Sequence, residues 1–97
     1  MGDALKIDES ISLQLGRGVR LKHDAERGSW TLMAPERVIV LDEIAHQVIV
    51  EIIESDGHLA GVIDRLSQLF DAPRGEIATD VIDMLQPFVN KQLLRRK

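Results

Sequence analysis

The chain contains neither cysteine nor tyrosine, and its aromatic residues, histidine aside, are Trp30, Phe70 and Phe88. Without cysteine there is no disulfide, no thiolate metal site, no iron–sulfur ligation and no thiol nucleophile. One indole and two phenyl rings on apolar helical faces are too few for a base-stacking platform. No apolar run approaches the roughly 20 residues of a membrane-spanning helix. The first sixteen residues carry Asp3, Asp8 and Glu9 among apolar ones, which is not the basic-then-apolar order of a secretory signal, so a cytoplasmic location is expected. Positive charge is also scarce: 12 Lys and Arg against 16 Asp and Glu give a net charge of −4. That balance argues against nucleic acid or membrane as a partner, because phosphate binding rests on clustered cations. The one basic cluster, Arg95-Arg96-Lys97, is expected to end a last helix and complement its dipole.

What is present fits one folded domain. A length of 97 residues with 44% apolar and 29% charged side chains supports one modest core and no second domain. Residues 1–16 read as a flexible N-terminal arm and residues 17–97 as the domain. Val19 to His23 alternates apolar and polar, and Ser29 to Met33 follows after a loop, Asp24 to Gly28, suited to a hairpin. A third run, Val38 to Leu41, is rich in β-branched residues and follows the turn Ala34-Pro35-Glu36-Arg37. The three predict an antiparallel meander over residues 19–41. Ile11, Leu13 and Leu15 also alternate, as further strand pairing or as part of the arm.

The period then becomes helical. Asp42 is an N-cap, and Ile44, Ala45, Val48, Ile49, Ile52 and Ile53 form a wide stripe that Gly57 ends. A second helix is expected from Leu59 to Phe70, with Val62, Ile63, Leu66, Leu69 and Phe70 inward. A third starts near Pro73 and runs through Ile77, Val81, Met84, Leu85 and Phe88. Pro87 predicts a kink or break near residues 83–87, because it lacks the N–H that would bond the Asp83 carbonyl. The fold class is α+β: a winged-helix-like domain with an N-terminal three-stranded antiparallel sheet followed by a three-helix bundle.

Candidate chemistry is thin. Glu43 and His46 have the Glu-x-x-His spacing of carboxylate-bridged metal sites, but no second copy exists. His23 and His58 read as solvated or capping residues, and Asp80 and Asp83 as a solubilising pair. Gly16-Arg17-Gly18 is too short for a phosphate loop and reads as a hinge. Trp30 is either core or an interface anchor, with core favoured. No catalytic residue, metal or cofactor is therefore expected.

Three classes of binding protein remain. An acyl-carrier protein needs Asp-Ser opening a helix, and the order here is Ser55-Asp56. A winged helix-turn-helix DNA-binding protein is the alternative reading, yet its third helix would carry Glu76, Asp80 and Asp83 against Arg74. The third class is a peptide-binding module. The run Arg17-Gly18-Val19-Arg20-Leu21, Trp30 through Val38, and Leu41-Asp42-Glu43-Ile44-Ala45 closely resembles the PqqD family of pyrroloquinoline quinone (PQQ) biosynthesis. Gly57, Leu66 to Phe70, Asp71-Ala72-Pro73, Glu76-Ile77, Asp80-Val81 and Leu93-Leu94 extend the resemblance to residue 94 or so, with Pro87 a departure.

The resemblance implies a peptide chaperone that does no chemistry itself. It would bind the ribosomal precursor peptide PqqA and present it to the radical S-adenosylmethionine enzyme PqqE, using a recognition element whose third strand and third helix form the groove. The peptide-binding residues expected on that basis are Arg37, Val38, Ile39, Val40 and Leu41 on the strand, with Val81, Ile82, Leu85 and Val89 on the helix. Which strand side chains face the groove stays open, since a shift of one residue exchanges Val38 and Val40 for Ile39 and Leu41. An open strand edge could also pair two copies as a homodimer.

Overall fold

A computed structural model describes the chain from Leu5 to Lys97. The alternating segments form strands β2 (Arg20–Asp24), β3 (Ser29–Ala34) and β4 (Arg37–Leu41), an antiparallel sheet in the order β2-β3-β4. The expected meander is therefore present, and β4 is its third strand. The two-residue link Pro35-Glu36 joins the Ala34–Arg37 pair without positive φ, as a proline-initiated turn allows. On the inner face Leu21 lies opposite Leu32 and Leu32 opposite Ile39, and Leu32 and Leu41 are buried.

Helix α1 (Glu43–Glu54) starts where expected. The Asp42 carboxylate accepts the Ala45 N–H at 2.7 Å, a cap that contributes about 1 kcal/mol. Helices α2 (Leu59–Leu69) and α3 (Arg74–Asn90) follow. Val48, Ile49 and Ile52 of α1 meet Leu59, Val62, Ile63 and Leu66 of α2 and Val81 and Leu85 of α3 in one core. Glu51, nearly buried on α1, is met by Arg65 of α2 at 3.4 Å.

Two three-residue strands complete the fold. β1 (Leu13–Leu15) pairs antiparallel with β5 (Leu94–Arg96), so the alternating residues near the N-terminus join the C-terminal segment and not the meander. The basic cluster accordingly lies on and after a strand, and α3 ends at Asn90 with no cation in its last turn. The expected flexible arm is packed from Leu5 onward. Ile7 and Leu13 enter the core, and Gln86 of α3 holds the arm's backbone, donating to the Leu5 carbonyl and accepting the Ile7 N–H. Arg74 binds Glu9 of the arm at 2.6 Å and also Asp64 of α2, which together hold its guanidinium charge more firmly than usual. Residues 1–4 of the expected arm lie outside the described residues.

Glycine spacing explains two further differences. Gly57 stands two residues beyond the α1 cap, Ser55, and does more than end the helix. Its φ is +80°, and a Cβ there would lie 2.0 Å from the Leu13 carbonyl oxygen. Gly16 is not a hinge: a Cβ would stand 2.1 Å from the Gln92 oxygen, where β1 and the C-terminal segment cross. The break expected at Pro87 does not occur, and α3 continues to Asn90. Pro87 is exposed one turn from the helix end, so the Asp83 carbonyl it leaves unpaired can turn to water.

Candidate functional site

An edge strand presents a row of backbone groups, and the register says which ones. The tight turn makes Ala34–Arg37 a hydrogen-bonded pair, so Leu32–Ile39 and Trp30–Leu41 are bonded pairs too. The N–H and C=O groups of Val38 and Val40 therefore point away from β3, toward an edge that no strand covers among the described residues. Burial tells the two faces of the strand apart. Leu41 is buried and Ile39 half-buried on the inner face, while Val38 and Val40 are 56% and 59% exposed on the outer one. Arg37 is exposed at the turn.

Two pockets relate this edge to helix α3, and they take β4 and α3 in opposite directions. At one end, Arg37 and the β3–β4 turn share a cleft with Asn90, Lys91 and Gln92. At the other, Ile44, just past the end of β4, shares a pocket with Ile77, Asp80, Val81 and Met84. From Asp80 to Lys91 is about 16 Å of helix, which matches the roughly 13 Å between the ends of β4. The two pockets mark the ends of a trough between strand edge and helix; the one at the α1 end is a cavity of about 140 Å³ among the helices, completed by Val48, Leu66 and Phe70.

The α3 residues named from sequence fall in two places. Val81, Leu85 and Val89 belong to the buried core, with Val81 also at the pocket wall. Ile82 is half-buried one turn before Gln86, on the flank that carries the arm. The trough flank of α3 runs from half-buried Ile77 and Met84, which line the pocket, past Phe88, which helical spacing puts on the same side, to Lys91 at the cleft. Ile44, Leu69 and Phe70, read as inward, are 56%, 54% and 46% exposed, and Ile44 and Phe70 line the pocket. A spacing of seven then four from Ile77 to Phe88 marks one flank of a helix, but not whether another element covers it.

The histidines have structural partners. Trp30 lies between His23, with ring centroids 4.6 Å apart, and His46, stacked at 4.5 Å and 10°. His46 of the Glu-x-x-His motif thus docks α1 on the sheet. His58 occupies the N-cap of α2 but makes no side-chain cap bond, and its Nδ1 instead shares a hydrogen bond with Ser12 Oγ at 3.2 Å. The DNA-binding alternative finds no support, because α3 exposes Glu76, Asp80 and Asp83 and Arg74 is engaged by two carboxylates.

The described helices include none long and apolar enough to cross a membrane. The family described as Coenzyme PQQ synthesis protein D (PqqD) matches residues 29–94. The PqqA binding protein of Xanthomonas campestris pv. campestris is 44% identical over 81 residues, 84% of this chain and 87% of that protein. The PqqA binding protein of Rhodopseudomonas palustris is 37% identical over 90 residues, 93% and 87%. The solution structure of the PqqD truncation of Methylobacterium extorquens PqqCD, a functional and stand-alone RiPP recognition element, superposes with a TM-score of 0.71 at 32% identity, covering 88% of this chain and 89% of that one. The crystal structure of PqqD from Xanthomonas campestris superposes less closely, at 0.53, despite 45% identity, covering 84% and 90%. With a family match across β3, β4, all three helices and the start of the last strand, and relatives well above 30% identity over most of their length, the chain belongs to the PqqD family.

Proposed function

We propose that this protein is a non-catalytic chaperone of PQQ biosynthesis that binds the PqqA precursor peptide as an added strand on β4 and presents it to the radical S-adenosylmethionine enzyme PqqE. The observation that carries this reading is the open β4 edge. Val38 and Val40 offer main-chain donors and acceptors there, beside an aliphatic trough. Main-chain bonds supply affinity with little sequence demand, and side chains alternating toward the trough supply selectivity. The residues proposed to meet the peptide are Arg37 to Leu41 on β4, with Val81 at the pocket wall. Ile44, Ile77, Met84 and Phe88 join them, in place of Ile82, Leu85 and Val89. One buried aliphatic anchor contributes roughly 1.5–3 kcal/mol, so two or three suffice for a micromolar complex near about −8 kcal/mol after ordering costs. The relatives named for PqqA binding support the choice of peptide.

The deciding experiment is a titration of the isotope-labelled chain with PqqA peptide, followed in amide spectra. Shifts are expected across residues 37–44 and the Ile77–Phe88 flank. Saturable binding that leaves both segments unmoved would place the groove elsewhere. The same edge would pair two copies when no peptide is present, so any dimer seen by sedimentation should dissociate as peptide is added.

A further inference from the structure

The trough is chemically different at its two ends. Arg17 from the loop before β2, Arg37 at the start of β4 and Lys91 at the end of α3 converge on an open cleft of about 520 Å³. Glu36 is the one carboxylate among its lining residues. None of the three cations enters an ion pair among the described residues, whereas Arg27, Arg65 and Arg74 do. In a chain of net charge −4, three unneutralised cations around one cleft concentrate positive potential where the surface average is negative. The pocket at the other end is apolar but for Asp80.

We infer that the cationic cleft seats carboxylate side chains of the bound peptide and so fixes which end of the peptide lies at the β3–β4 turn; this rests on the peptide-binding reading above. Ladder bonds cannot set that direction, because an edge strand accepts a partner running either way. The charge difference can. The two seats are separated by the length of β4, so the occupant is an extended segment with a large apolar side chain about four to six residues from one or more acidic ones.

The test uses the full chain, PqqA peptide, and the same peptide with every Asp and Glu replaced by Asn and Gln. Combining Arg17→Glu with Lys91→Glu reverses two cations outside β4 and leaves the strand edge intact. At about 20 mM salt this variant should bind PqqA at least about tenfold more weakly than the parent. The gap should shrink to about twofold at about 1 M salt, where the Debye length is about 3 Å. The neutralised peptide should bind parent and variant alike. Amide spectra establish that the variant is folded; if it is not, the milder pair Arg17→Gln and Lys91→Gln carries the test, with about a threefold loss at low salt. Equal binding of PqqA by parent and folded variant at both salt concentrations overturns the inference, as does a neutralised peptide that still discriminates between them. If PqqA binds the parent under neither condition, the peptide-binding reading itself fails and takes this inference with it.

Discussion

Single atoms decide how the two ends of the chain are held. The Leu13 N–H donates to the Gly57 carbonyl at 2.9 Å, and the approach is so close that Gly57 has no room for a methyl group. Gly57→Ala adds backbone strain at φ +80° to a clash with Leu13. It should cost more than about 1 kcal/mol in urea unfolding and reduce the hydrogen-exchange protection of β1. Loss of protection elsewhere but not in β1 would contradict that assignment. Asp8 shows a local charge effect of the opposite kind. Its carboxylate accepts the Ser10 hydroxyl and then the Ser10 N–H, which holds its pKa below the ordinary aspartate value. A lowered folded pKa means that this turn's contribution is present above the ordinary aspartate range and is lost only as pH falls through the lowered value.

At the scale of elements, β4 and α3 separate binding from folding. The Val40 N–H faces the open edge and the Ile39 N–H faces β3, so proline at these neighbouring positions should act differently. Val40→Pro is expected to keep the fold and weaken PqqA binding about 3- to 10-fold, the worth of one ladder bond. Ile39→Pro should lose the β3–β4 pairing, seen as collapse of amide dispersion. On α3, Met84→Asp places a charge in the trough and should weaken binding by tenfold or more, about 1.4 kcal/mol, in a folded protein. Val89→Asp buries that charge in the core and should unfold the chain before it tests any groove. Equal thermal stability of the two aspartate variants would contradict this placement. The meander and the three helices were legible because period-two and period-3.6 patterns are local properties of a few adjacent residues. The β4 register was not, since Val38 to Leu41 are all apolar, and only the sheet's position against α1 distinguishes its faces. Nor did Pro87 announce its effect, because the cost of a missing hydrogen bond depends on whether the freed carbonyl meets water. The trough flank of α3 was hidden for a related reason: an apolar stripe can be core or exposed groove, and its neighbours decide.

For the molecule as a whole, the pairing of β1 with β5 was the least legible feature. Both strands are three residues long, one is basic, and the partners are about 80 positions apart in the chain. Yet Leu13, Leu93 and Leu94 are among its most buried side chains, so this small sheet closes the core. The separation has a kinetic consequence. Joining such distant segments costs loop-closure entropy that is recovered only once the helices between them are in place, so the clasp should form after the folding barrier has been crossed. Leu13→Ala should therefore lower stability by about 2–5 kcal/mol almost entirely through faster unfolding, with the refolding arm of the chevron nearly unchanged. A refolding rate that falls in proportion to the lost stability would instead place the clasp in the nucleus. If it forms late, it is also the first part to let go, and the lifetime of the folded protein is set where its first and last strands meet.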